Sequence, residues 1–199
     1  KVVIKQNGYV IQQTNVAPGP FIIQDLNPTS ISGDLLVTIE ENDGSDLYDY
    51  LSKEEVVQFE PYKTYTYEMA VAEAKKRTAN HDFHAVCLKT GKVIGNVWLS
   101  KGDFDTWELG YVFNSDYWGN GYAYESSRAL LSYVFENCNA RRIVANCNPL
   151  NSGSWKLLER LGFRREGTLL KNVYFFKDEA NNPIWLDTYE YGILKEEWS

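Results

Sequence analysis

Six consecutive residues, Trp118, Gly119, Asn120, Gly121, Tyr122 and Ala123, form the stretch of this 199-residue chain with the clearest chemical use. They fall between a strand expected over residues 106–113 and a helix expected over 122–136. Glycines there let the backbone approach a ligand closely and take conformations closed to other residues. The first N–H groups of the helix point outward with the helix dipole behind them, so the turn is suited to an anion such as phosphate. Asn151 and Ser154 open a further helix over 152–160, either as caps or as contacts to the same ligand. Glu108, on the strand that leads into the turn, is a carboxylate able to take a proton, or a strand residue facing solvent. His84 is an outside candidate for a base and otherwise a strand-edge residue. Cys87, Cys138 and Cys147 lack CxxC spacing and, with His81 and His84 as the only histidines, make no zinc site. No motif activates any of the three thiols, which read as buried hydrophobic groups.

The elements that must position these residues begin at about Asp46. Ser52 and Glu55 fit a capping box, and residues 67–77 carry a helical run. A hairpin is signalled by residues 84–88, the turn Lys89-Thr90-Gly91-Lys92 and residues 93–99. After the strand at 106–113 and the helix at 122–136 come a strand at 142–146 and a helix at 152–160 stopped by Gly162. Strands at 164–176 and 184–194 close the chain. Residues 1–45 differ: short β-type runs at 2–4, 9–13, 21–23 and 35–39 are parted by Pro18-Gly19-Pro20 and by Asn27-Pro28, with no helical period. The chain thus divides into a β-rich segment, 1–45, and a mixed α/β domain, 46–199.

Twenty Lys and Arg against 27 Asp and Glu give a net charge of −7, the opposite of a nucleic-acid binder's basic footprint. An acidic surface suits a cationic substrate. No apolar run approaches the roughly 20 residues that span a bilayer, and no signal-peptide pattern is present. Composition therefore reads as a soluble cytoplasmic protein with reduced thiols.

Three segments in order, the turn YWGNGYA, the N-x-x-S of Asn151 to Ser154 and the LGFRREG that follows, resemble the GNAT superfamily and within it the Rim-type ribosomal-protein N-acetyltransferase branch. The resemblance covers 46–199. It implies an α/β (α+β) fold: a splayed, mostly antiparallel sheet flanked by helices, with coenzyme A in the cleft opened by the splay. It also implies acetyl transfer from acetyl-CoA to a primary amine, on a protein N-terminus or a small molecule, by direct attack. By resemblance, residues 118–123 hold the pyrophosphate. Tyr111, Val112 and Phe113, at an expected bulge, offer backbone groups to the pantetheine arm and the developing oxyanion. Asn151 contacts the pantetheine arm, while Ser154 lies near the sulfur as proton donor. Where some relatives carry Glu this chain has Asn146, which leaves Glu108 as the best-placed base. Glu125 orders its helix turn, and Tyr62, Tyr65 and Tyr67 border the acceptor pocket or simply pack. No metal, nucleic acid or membrane partner is expected; a homodimer is compatible. A non-catalytic acyl-CoA-binding relative is the alternative.

Residues 6–45, QNGYVIQQTNVAPGPFIIQDLNPTSISGDLLVTIEENDGS, resemble a stretch of the outer-membrane fimbrial ushers. Some 40 residues cannot form an usher pore, so the chain reads as a fusion or engineered chimera with a crossover near 43–46. The acetyltransferase branch normally begins with a strand before its first helix. Residues 35–39, with Leu35, Val37 and Ile39 on one face, have the type and spacing to supply that strand at the sheet edge.

Overall fold

The structure, a computed structural model, describes residues 2–6, 9–14, 35–36 and 40–198. Three short strands, β1 (Val2–Gln6), β2 (Tyr9–Thr14) and β3 (Leu35–Leu36), form an antiparallel sheet of their own in the order β2-β1-β3. The expected pairing of residues 35–39 with the acetyltransferase sheet is thus corrected for Leu35 and Leu36, which pair with Gln6 and Lys5 of β1. Residues 37–39 and the run at 21–23 lie outside the described residues.

The main sheet has six strands in the order β4-β5-β6-β7-β9-β8, formed by β4 (Phe83–Cys87), β5 (Val93–Lys101), β6 (Thr106–Phe113), β7 (Arg142–Cys147), β8 (Arg164–Lys177) and β9 (Pro183–Leu194). Helices α1 (Gly44–Leu51), α2 (Glu54–Val57) and α3 (Tyr67–Thr78) cover one face. Leu47, Tyr50 and Leu51 of α1 and Ala70 and Ala74 of α3 pack there on Ala85, Val93 and Val112. Helices α4 (Tyr122–Asn137) and α5 (Ser152–Arg160) cover the other. Leu131, Val134, Phe135 and Leu158 there meet Val97, Leu99, Leu109, Phe113, Ile143 and Ile193. β5 is buried on both faces from Val93 to Leu99 apart from the half-buried Trp98, with Val93 in one helix-covered cluster and Val97 and Leu99 in the other.

α3 starts where Thr66 Oγ1 accepts from the Met69 amide at 3.3 Å. The Ser52–Glu55 capping box does not form: α2 begins after Lys53, without a side-chain cap. Ser52 instead closes α1, with its amide on the Tyr48 carbonyl.

One feature of the sheet creates the site. β6 and β7 run parallel and pair only through Thr106–Arg142, Trp107–Ile143 and Glu108–Val144. Beyond that point β6 stays with β5 as far as Phe113, whereas β7 stays with β9 as far as Cys147, and the sheet opens into a V. The expected bulge in β6 is absent, since its register with β5 is unbroken from Trp107 to Phe113. A parallel neighbour that veers away is enough to leave the edge unpaired. Asn114, fully buried, holds the far end of β6: its Nδ2 donates to Asp49 at 3.1 Å, and its Oδ1 accepts from Lys53 at 2.8 Å and from the Asp116 amide at 3.1 Å.

Candidate active site

Strand alternation decides which backbone groups of β6 face the opening. The Asn114 amide donates to the Ile94 carbonyl at 2.9 Å, continuing the register in which Val112 opposes Asn96. In an antiparallel ladder the bonded pairs recur at every second residue, so Val112 exchanges its bonds with β5 while Tyr111 and Phe113 turn N–H and C=O toward the opening. The Phe113 carbonyl is taken by Trp118 Nε1 at 2.9 Å. Of the three backbone candidates, Tyr111 and Phe113 therefore present amides to the cleft, whereas Val112 presents its side chain.

The turn after β6 is built by its glycines. Gly119 and Gly121 have φ of 77° and 87°, and a Cβ at either would meet no protein atom within 4 Å, so the space beside the backbone is open to a ligand. Gly121 is the residue from which α4 starts, and the amides of Tyr122, Ala123 and Tyr124 open that helix. Asn120 folds back, its Nδ2 donating to the carbonyls of Tyr117 and Trp118 at 3.2 Å, and shapes the turn without lining the cavity beside it.

Two cavities flank the V. One, of about 610 Å³, is bounded by the turn (Trp118, Gly119, Gly121), the first turn of α4 (Tyr122, Ala123, Tyr124), and α5 with its N-cap Asn151. The other, of about 470 Å³, is walled by Phe59, Tyr62, Tyr65, Phe83, Trp98 and Phe175 with Asn146, Cys147 and Asn148 at its side. Phe59, Glu60, Tyr111, Val112, Asn151 and Ser154 line both, and mark where the two meet.

At that junction the Tyr111 hydroxyl crosses the V to α5, donating to the Ser154 carbonyl at 3.0 Å and lying 3.0 Å from Ser154 Oγ. Either hydroxyl can be the donor in that second contact, so the Ser154 proton is not committed to Tyr111. Burial raises the pKa of the Tyr111 phenol, which keeps its proton. Asn151 Oδ1 accepts from the Ser154 amide at 3.1 Å, so the capping role is filled while both residues still face the cavities. Burial pushes the Cys147 thiol up to about 11, against an opposing hydrogen bond with Ser154. It is a thiol, not a thiolate, at neutral pH.

Glu108 is exposed and not among the residues that line either cavity, and it accepts at 3.3 Å from Nδ2 of Asn146, which lines the smaller one. His84 is half-buried on β4, with a pKa lowered by burial. Glu125 sits in the first turn of α4. Sequence reasoning missed three features. Glu60 lies at the junction, and burial raises its carboxyl to about 7 despite a hydrogen bond from Tyr62 and the positive charge of Arg77. Arg160, stacked on Tyr124 at 4.8 Å, brings a positive charge to the larger cavity. The third is the side chain of Tyr111. A lone carboxylate between Phe59 and Pro61-Tyr62 was a legible signal for Glu60; the other two depend on the meeting of distant elements.

A sheet that divides after three parallel pairs, with a glycine turn and a helix N-terminus at one mouth of the division, defines an α/β protein with a cleft through its centre. The chain belongs to the acetyltransferase (GNAT) domain family, whose model matches residues 35–164. It is 34% identical over 169 residues to the uncharacterized N-acetyltransferase YnaD of Bacillus subtilis (strain 168), covering 83% of this chain and 95% of that one. The crystal structure of a GNAT-family acetyltransferase from Bacillus anthracis matches with TM-score 0.73 and 32% identity over 82% of this chain and 95% of its own. The fold is shared by spermidine N-acetyltransferase from Vibrio cholerae, solved with CoA and spermine, at TM-score 0.65 and 18% identity over 80% of this chain and 94% of that one. A separate segment of 45 residues, 23% of this chain, is 67% identical to the outer membrane usher protein FimD of Salmonella typhimurium and spans 5% of that usher's length. Among the described residues no helix is long and apolar enough to cross a membrane.

Proposed function

We propose that this acetyltransferase moves an acetyl group from acetyl-CoA to a primary amine, on a small molecule or a protein N-terminus, by direct attack. The observation that carries the reading is the junction at Tyr111 and Ser154, where a cavity with an anion-suited turn meets a second, aromatic-walled cavity. Bound acetyl-CoA supplies the thioester. The amides of Gly121, Tyr122 and Ala123, with Arg160 nearby, hold its phosphates, and Trp118 and Gly119 shape that mouth. The Tyr111 and Phe113 amides and the Asn151 side chain direct the arm along the open edge of β6. The Tyr111 amide also holds developing negative charge, an effect typically worth about 3 kcal/mol per donor. Ser154, oriented by Tyr111, gives a proton to the departing sulfur. The protonated state of Cys147 supports transfer without an acyl-enzyme. The branch is taken to be the Rim-type one, in a cytoplasmic setting.

The test pairs binding with turnover. Wild type should bind acetyl-CoA by calorimetry and release thiol with at least one member of an amine panel. Gly121→Val should keep its melting transition within a few degrees and lose the binding heat, because a β-branched residue is strained at positive φ and its methyls fill the ligand's space. Unchanged affinity in Gly121→Val sinks the phosphate-turn assignment, and binding without thiol release by wild type favours a non-catalytic acyl-CoA binder.

The usher likeness supports a second proposal, that residues 1–45 and 46–199 have separate origins joined in one chain. Sequencing the source locus tests it: an uninterrupted native reading frame across residue 45 argues for an old fusion, and a vector junction for an engineered one.

A further inference from the structure

We propose that Glu60 is the catalytic residue that takes the proton from the acceptor ammonium, the part that the sequence assigned to Glu108. The inference rests on the acetyltransferase reading above. Position carries it. A proton acceptor must touch the amine where the amine meets the thioester, and Glu60 is the one carboxylate, among the described residues, that lines both cavities. Glu55 lines the coenzyme side alone, and Glu73 the acceptor side alone. Glu73 is also committed, holding Arg77 at 2.8 Å and Lys76 at 3.5 Å. Hydrogen bonding with Tyr62 favours the charged form of the Glu60 carboxyl against burial, and a carboxylate can accept from an ammonium at the same time as from one hydroxyl.

The surroundings suit the task. The acceptor-side cavity that Glu60 lines is also lined by Tyr62 and Tyr65 from its own loop, Glu73, Lys76 and Arg77 from α3, Tyr111 from β6, Cys147 from β7 and the uncharged Phe175 from β8, and of these Tyr62 and Arg77 act on its carboxyl. Arg77 is spoken for: it is 3% exposed, bonded to Glu73 and to Asn96 Oδ1 at 2.9 Å and stacked 4.6 Å over Phe83. Burial therefore dominates at Glu60 and holds its carboxyl at about 7, near the operating pH of a general base.

The Glu60 carboxylate takes one proton from the ammonium, and the freed nitrogen lone pair forms a bond to the thioester carbonyl carbon. The nitrogen sheds a second proton as the C–S bond breaks, and the sulfur leaves with the bonding pair and gains a proton by way of Ser154. Glu60 then returns its proton to water. Per turnover one amide, one thiol and one solvent proton result.

The experiment measures kcat/KM against pH for wild type, Glu60→Gln, Glu60→Asp and Glu108→Gln, with acetyl-CoA binding by calorimetry alongside. Wild type should rise with pH to an inflection near 7. Glu60→Gln should bind acetyl-CoA as wild type does, lose about 100-fold or more at neutral pH, lack that inflection, and close the gap as pH approaches the amine's own pKa. Glu60→Asp should restore part of the rate and an inflection. A Glu60→Gln enzyme that keeps both rate and inflection overturns the assignment and leaves the acetyltransferase reading standing, as does a loss confined to Glu108→Gln. Wild type that binds acetyl-CoA yet acetylates no amine overturns both.

Discussion

At the scale of single residues, the same carboxyl that suits Glu60 to a proton transfer makes it a burden on stability. Its folded value, about 7, lies above the ordinary 4.5, so between those values the folded protein binds more protons than the unfolded chain. Stability contributed by the neutral form is fully present below about 4.5 and is lost as pH rises through 7. Glu60→Gln removes the titration. Its melting temperature relative to wild type should therefore climb from pH 4.5 to pH 7 and stay level above, read by scanning calorimetry at a series of pH values. A difference independent of pH would mean that Glu60 ionises freely. Activity and stability are then set against each other at one position, as is common where a site keeps a charge in poor solvent.

At the scale of elements, β6 matters most, because it alone carries the open edge, the junction and the entry to the turn. It is held from three sides: by β5 along its length, by Asn114 at its end and by Tyr111 across the V. Gly95 of β5 is where this grip is tightest. A Cβ there would lie 2.5 Å from the Phe113 ring and 2.7 Å from the Val112 carbonyl, so β6 must move if any side chain is introduced. Gly95→Ala should cost about 1–3 kcal/mol, the usual range for overpacking, measured by urea unfolding, and should weaken acetyl-CoA binding in parallel. Full stability in Gly95→Ala would show that β6 yields freely, and a loss of stability without a loss of affinity would place the displacement away from the cleft.

At the scale of the whole molecule, the six-stranded sheet and the five α-helices among the described residues lie between residues 44 and 194. Among the described residues, β1, β2 and β3 form a three-stranded sheet that shares no strand with the six-stranded one. Deleting residues 1–30 should therefore leave one cooperative thermal transition, close to that of the full chain by scanning calorimetry. Its collapse would show that the first strands are integral. The acetyltransferase family match begins at residue 35 and so overlaps the usher-like stretch that the sequence places at 6–45.

The sequence alone determined much of this. Local signals placed β6, α4, α5 and the closing strands within a residue or so, because side-chain period and helix capping act over a few neighbours. Positive φ at Gly119 and Gly121 was legible for the same reason, since only glycine adopts it cheaply. The α/β class and the pairing of Asn151 with Ser154 at a helix start followed likewise. What tertiary structure decided was everything that depends on register or on the meeting of distant elements. Val112 rather than Tyr111 turns its amide to β5 because of where β6 falls against Ile94. Glu108 ends on the exposed side of the V, and Glu60, 48 positions earlier in the chain, at its centre. A carboxylate's use as a base depends on the solvent it loses and the cavity it faces, and both are supplied by segments far away in sequence.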